Sequence, residues 1–195
     1  MTAAMTETEV LAALEEAHAV LSGHFRLTSG RHSDRYVQCA RVLEHPQLVN
    51  RLARAMMARI GERHIDLVAA PAVGGIIIGF AVAQALGVKF IFSERENGVM
   101  TFRRGFEVPE GARVLVVEDV VTTGGSVAEV VELVRAAGGV PEAVSSLIDR
   151  GGPKSFDVEL FPLLRLEVES WDTAECGLCA SGVPLYAPGS RTLSK

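Results

Sequence analysis

The sequence predicts an α/β protein whose mostly parallel central sheet is covered by helices on both faces. Apolar, β-branched runs near 67–70, 88–92, 113–118 and 142–148 alternate with segments of helical spacing near 47–60, 75–86 and 126–137. The run Val114 to Val117 has the length and β-branching of a strand buried on both sides, the mark of a central parallel strand. With 195 residues, 48% hydrophobic content and a mean hydropathy of +0.26, the chain can bury one substantial core. No linker or repeat interrupts it, so residues 1–195 are expected to form a single domain.

Taken in order, the first element is a helix expected from Glu7 to Leu21, with Gly23 behind it. A polar segment, Phe25-Arg-Leu-Thr-Ser-Gly-Arg-His-Ser-Asp-Arg-Tyr-Val-Gln-Cys39, follows. Val68 to Gly87 reads as a buried strand, a small-residue turn (Ala72, Val73, Gly74, Gly75) and a long apolar helix stopped by Gly87. Backbone amides from Ala72 to Gly75 could hold an anion, or the glycines could serve only close helix packing. Next comes Ser93-Glu-Arg-Glu-Asn-Gly-Val-Met-Thr-Phe-Arg-Arg-Gly-Phe106, in which Asn97-Gly98 signals a hairpin. A short β-ribbon is expected there, with Arg103 and Arg104 on its return strand; it is either a working loop or a solvated basic surface.

The most informative stretch is Val114-Leu-Val-Val-Glu-Asp-Val-Val-Thr-Thr-Gly-Gly-Ser126. A strand ends in two acids, Glu118 and Asp119, and passes through Val120 and Val121 into a turn of Thr122, Thr123, Gly124, Gly125 and Ser126 that opens a helix. Glycines let backbone approach a ligand, hydroxyls donate hydrogen bonds, and the new helix offers free N–H groups, so an anion suits the turn. Two carboxylates beside a phosphate would repel it unless they face hydroxyl groups or a cation, and a ribose 5-phosphate meets both demands. The bland alternative is that the acids end a strand and the glycines turn the chain. A P-loop lacks its lysine here, and no Gly-x-Gly-x-x-Gly follows a strand.

Val116 to Ser126 resembles the 5-phosphoribosyl-1-diphosphate (PRPP) signature of type I phosphoribosyltransferases. Within that family, Phe25 to Cys39 looks like the N-terminal segment of orotate phosphoribosyltransferases, and Leu147-Ile-Asp-Arg-Gly151 looks like their strand-end Asp-Arg. The resemblance implies a hood over the base, built from about 1–40 plus C-terminal parts, on a core of about 45–165. It implies that Glu118 and Asp119 hold the ribose hydroxyls, that Val120 to Ser126 wrap the 5-phosphate, and that Ala72, Val73 and Gly74 hold the diphosphate. It also implies that Arg150, Tyr36, Val37 and Thr122 meet orotate, with Arg150 reading the pyrimidine. A planar guanidinium suits a ligand bearing a carboxylate and ring carbonyls. Elsewhere, an Asp-Arg at a strand end is usually a surface pair.

Two features depart from the family pattern. Thr28 stands where a lysine commonly precedes Ser-Gly, and the mobile loop contains neither lysine nor histidine. Arg95, Arg103 and Arg104 are then the loop's cations, with Arg95 matching the catalytic loop lysine, although arginine does not give up a proton near neutral pH. The implied reaction transfers ribose 5-phosphate from PRPP to N1 of orotate, releasing diphosphate, with Mg²⁺ held mainly by PRPP and no firm protein ligand. The implied assembly is a homodimer whose loops are shared between subunits. A related transferase for a purine or uracil, or a non-catalytic PRPP-sensing regulator, would keep the signature and change the rest.

A net charge of −5 and a pI near 5.6 argue against nucleic-acid partners. No apolar run reaches the length of a membrane span, and the start Met1-Thr-Ala-Ala-Met-Thr-Glu lacks a basic region and a signal core, so a cytoplasmic protein is expected. Cys176-Gly-Leu-Cys179 has metal-knuckle or redox spacing, with Cys39 the remaining thiol. His32, His45 and His64 are conceivable partners, but nothing in the sequence brings one near. Reduced structural thiols are the expectation, a metal next and a disulfide last. The tail from Trp171 is expected to cap the sheet edge or pack on a second subunit.

Overall fold

A computed structural model describes residues 5–188. Met1 to Ala4 of the expected leaderless start, and the end of the tail beyond Pro188, lie outside the described residues. The helices are α1 (Glu7–Glu16), α2 (Pro46–Ile60), α3 (Gly74–Leu86), α4 (Gly125–Ala136) and the short α5 (Gly177–Ala180). The strands are β1 (Val20–Arg26), β2 (His32–Val37), β3 (Leu67–Pro71), β4 (Lys89–Glu96), β5 (Val99–Phe102), β6 (Arg113–Val121), β7 (Val140–Asp149) and β8 (Leu160–Arg165).

Six strands form one sheet in the order β5-β4-β3-β6-β7-β8, parallel except for the β4–β5 hairpin at its edge. The sheet is buried on both faces, and β6 shows it residue by residue. Leu115 and Val117 join Leu14, Leu52, Met56, Ile78 and Val82 of α1, α2 and α3 in one core cluster. Val114 and Val116 join Val127, Val130, Val131 and Val134 of α4 in the other. A strand alternates its side chains between faces, so a continuous valine-leucine run feeds two cores at once.

The helix expected over Glu7–Leu21 stops at Glu16. Thr6 caps its start in a box with Glu9. Its end is set by tertiary pairing: Val20 to Arg26 pairs antiparallel with His32 to Val37 in a separate two-stranded sheet, and His18 at φ 55° turns the chain into it. Gly23 is therefore a strand residue and no helix stop. The described part of the tail pairs with this hairpin. Trp171 bridges His32, and Tyr186 bridges Phe25.

Candidate active site

β6 runs three residues further than the apolar pattern suggests, to Val121, so Glu118 and Asp119 stand inside the strand. The chain then turns through Thr122, Thr123 and Gly124 into α4. Gly124 takes φ +79°, and a Cβ there would lie 2.3 Å from the Phe156 ring, so no other residue fits. The first amides of α4 have no acceptor within the helix and point into the turn. Glu118, Val120 and Thr122 to Val127 line a cavity of about 190 Å³ there. Hydroxyls, helix amides and acids thus converge on one space at the start of α4.

The two acids differ in environment. Glu118 is 9% exposed, and burial, followed by the neighbouring Asp119 charge, pushes its carboxyl up to about 9. Burial thus favours the protonated form of Glu118 in the ligand-free chain. Asp119 is less buried, and its Oδ1 accepts from the Val120 amide at 2.7 Å.

The small-residue turn after β3 abuts this pair. A Cβ on Gly74 would lie 2.7 Å from Asp119 Oδ1, and one on Gly75 would lie 2.9 Å from the Val117 carbonyl oxygen. The glycines are thus needed for close approach to the acids, which sequence alone could not separate from helix packing. The Ala72 amide donates to the Ser93 carbonyl at 2.8 Å, which removes it from the expected set of anion donors. Val73, Gly74 and Gly75 supply the remaining amides, and the Val73 side chain is 81% exposed.

Arg150 follows the end of β7, and its amide donates to the Val121 carbonyl at 2.9 Å, which fixes it beside the 122–126 turn. Its Nε is buried without a hydrogen-bond partner. Asp149 binds Lys154 at 2.6 Å. Lys154 Nζ also donates to the carbonyls of Thr122, Gly151 and Gly152, while Ser155 donates twice to the Thr123 carbonyl. Lys154, Ser155 and Phe156 thereby hold the 122–124 turn from behind. The sequence reading missed them; the one available signal was a lone lysine in the Gly-Gly-Pro loop after Asp149-Arg150.

Tyr36 and Val37 lie on β2, and adjacent strand residues face opposite sides. The Val37 side chain packs on the first core cluster, which leaves its backbone and the Tyr36 side chain to meet a ligand. Tyr36, whose ring lies 5.8 Å from that of Phe25, is half-buried.

The ribbon forms as expected, with Asn97-Gly98 at its tip, but β5 ends at Phe102. Arg103 and Arg104 sit in the following turn, with Arg104 at φ 60°. All three expected cations are paired. Arg95 makes a two-pronged contact with Glu129 of α4 at 2.6 and 2.9 Å, Arg104 does the same with Glu94, and Arg103 lies 3.4 Å from Glu96. These pairs are exposed, so a phosphate can compete for the guanidinium groups.

A family model, Phosphoribosyl transferase domain, matches residues 38–151. A protein of Pelotomaculum thermopropionicum named orotate phosphoribosyltransferase is 52% identical over 190 residues, covering 97% of this chain and 100% of that one. One of the same name from Heliobacterium modesticaldum is 52% identical over 191 residues, covering 96% and 100%. Among solved structures, the orotate phosphoribosyltransferase of Aeropyrum pernix superposes with a TM-score of 0.71 at 27% identity, over 81% of this chain and 94% of that one.

Proposed function

The chain belongs to the orotate phosphoribosyltransferase family, and from that premise we propose that it joins N1 of orotate to C1 of the ribose 5-phosphate of PRPP, a step of pyrimidine nucleotide synthesis. The C1–N1 bond forms, the C1–O bond to diphosphate breaks, the N1 proton passes to the departing diphosphate or to solvent, and orotidine 5′-monophosphate leaves with diphosphate. The observation that carries the orotate reading is the buried, unpartnered Nε of Arg150 beside the phosphate turn. An anionic pyrimidine supplies the acceptor that this guanidinium lacks.

In this reading the Thr122 to Ser126 turn and the α4 amides bind the 5-phosphate. Asp119 accepts a ribose hydroxyl, and Glu118, protonated near neutral pH, donates to one. As positive charge builds on the ribose ring, the Asp119 carboxylate favours it. Amides of Val73, Gly74 and Gly75 take the diphosphate from one side. Arg95, Arg103 and Arg104 reach it from the ribbon after exchanging their acid partners for phosphate. Closure of the 94–106 segment keeps water from the reacting carbon.

The donor set fits Mg²⁺ arriving with PRPP. Among the described residues, the one cluster of three or more possible ligands lies elsewhere, at His24, His32, Cys176 and Cys179. Asp119 would be the chain's contribution to holding the ion, with phosphate oxygens of PRPP and water supplying the other donors. When bound, the ion would offset charge on the departing diphosphate.

A homodimer fits an apolar stripe on and before α3. Val73, Ile77 and Phe80, spaced to share one helix face, are 81%, 47% and 58% exposed. Sharing of the ribbon between the two subunits is what the family resemblance implies for such a dimer. We place the protein in the cytoplasm; no helix among the described residues is long and apolar enough to cross a membrane.

The reaction is tested by mixing the protein with PRPP, Mg²⁺ and orotate and following orotate, orotidine monophosphate and diphosphate together. Equal amounts of orotate lost and both products gained are expected; diphosphate release without nucleotide would overturn the assignment.

A further inference from the structure

The β1–β2 hairpin and the tail meet at a cluster that the transfer reaction does not use. His24 of β1, His32 of β2, and Cys176 and Cys179 around α5 bring one ligand atom each to a common centre, all within 4.8 Å of one another. His24 Nε2 and His32 Nδ1 are 3.0 Å apart. Cys176 Sγ lies 3.4 Å from His24 Nε2, and Cys179 Sγ lies 3.7 Å from His24 Nε2 and 3.2 Å from His32 Nδ1. A tetrahedral zinc with ordinary Zn–S and Zn–N bonds has edges of about 3.6 Å between sulfur and nitrogen and about 3.3 Å between nitrogens. The observed separations cluster around those edges. Paired thiol–imidazole hydrogen bonds alone would not draw all four atoms around one point.

The surroundings orient the ligands. His24 Nδ1 lies 2.8 Å from the Val183 carbonyl, which can only accept, so the ring proton sits on Nδ1 and the Nε2 lone pair faces the centre. His32 Nε2 lies 3.4 Å from Thr173 Oγ1, a hydroxyl able to accept its proton, and His32 Nδ1 faces the centre. Burial also favours a metal. His24, His32 and Cys176 are each 3% exposed, and a divalent cation with two thiolates and two neutral imidazoles forms a site of zero net charge. Cys179 is exposed and gives the ion a route in. Four protein ligands leave no open position, which marks a structural and not a catalytic site.

We propose that His24, His32, Cys176 and Cys179 bind one structural zinc ion that fastens the C-terminal segment to the N-terminal hairpin carrying Tyr36. Binding displaces the thiol protons to solvent, with no oxidation step. The ion replaces the extra core that a two-stranded sheet lacks. It also supplies a reason for the tail to pair with the hairpin, through Trp171 on one edge and Tyr186 on the other.

The test is metal analysis of the full chain produced with zinc available and then desalted. About one zinc per chain is expected, falling below about a tenth in Cys176→Ala/Cys179→Ala and in His32→Ala, and unchanged in Cys39→Ala. Cobalt added to chelator-treated wild type should give the intense visible bands of tetrahedral thiolate coordination, and chelation should lower Tm. Because the ligand variants could unfold, the wild-type results stand independently. Wild type without stoichiometric zinc, a pale octahedral cobalt spectrum, or a Cys176–Cys179 disulfide found by thiol counting in denaturant would each overturn the proposal.

Discussion

Gly74→Ala tests the close approach between the turn after β3 and the acid pair. The added methyl would lie 2.7 Å from Asp119 Oδ1 and 2.8 Å from its Cγ and Oδ2, about 0.7 Å inside ordinary contact. Asp119 cannot swing aside freely, because its Oδ1 accepts the Val120 amide at 2.7 Å. Either that bond breaks or the turn retreats. Overpacking of this kind costs about 1–3 kcal/mol, a fall in Tm of roughly 2–10 °C for a chain of this size. Catalysis should suffer more, since displacing a positioning group by about 1 Å costs on the order of 100-fold. Steady-state kinetics with PRPP varied should show kcat/KM lowered roughly 10- to 100-fold, with the KM for orotate little changed. A variant with wild-type kinetics for PRPP would refute the reasoning that Gly74 exists to let the turn reach Asp119.

Lys154→Ala removes one partner of a pair whose side chains are only 16% and 10% exposed, and it should cost about 3 kcal/mol, read as a Tm loss of roughly 10 °C. Adding Asp149→Asn should restore part of that loss; no recovery would mean that the carbonyl contacts of Lys154 dominate. Glu118 rises from 4.5 to about 9 on folding, so its native form holds a proton that the unfolded chain releases between those values. Its stabilisation is complete below pH 4.5 and is lost as pH rises towards 9, by at most about 1.4 kcal/mol per pH unit. Glu118→Gln should therefore gain Tm over wild type progressively across that window, and a flat difference would contradict the assignment of the proton. Burial, then the charges of Asp119 and Glu118, pushes the Cys39 thiol well up. Cys39 should alkylate at least about tenfold more slowly in the folded chain than in denaturant, as mass spectrometry of the labelled peptide would reveal.

What could be read from the sequence was local. β6, the hydroxyl turn and α4 follow one another without interruption, so apolar run, acids and glycines mark the strand, turn and helix of the candidate site within thirteen residues. The β4–β5 ribbon was readable for the same reason, through Asn97-Gly98. Long-range pairing decided the rest. The first helix lost its last turn because Val20 to Arg26 pairs with β2, and β8 escaped notice until it was seen beside β7. Arg95 looked like a free cation because its partner Glu129 lies 34 residues away on α4. The thiol pair looked solitary because His24 reaches Cys176 across 152 residues, and no local pattern encodes that approach. Lys154 was overlooked because its partners are mostly backbone carbonyls, which carry no side-chain signature.

The central claim is that this site transfers ribose 5-phosphate to orotate and that Arg150 selects the base. The direct measurement is base consumption by absorbance with PRPP and Mg²⁺, run for orotate, uracil, adenine, guanine and xanthine, on wild type and on Arg150→Ala. Orotate should be the base consumed, and Arg150→Ala should lose on the order of 100-fold or more in kcat/KM for orotate while still binding PRPP. Turnover of another base by wild type, or undiminished orotate turnover by Arg150→Ala, would contradict the account.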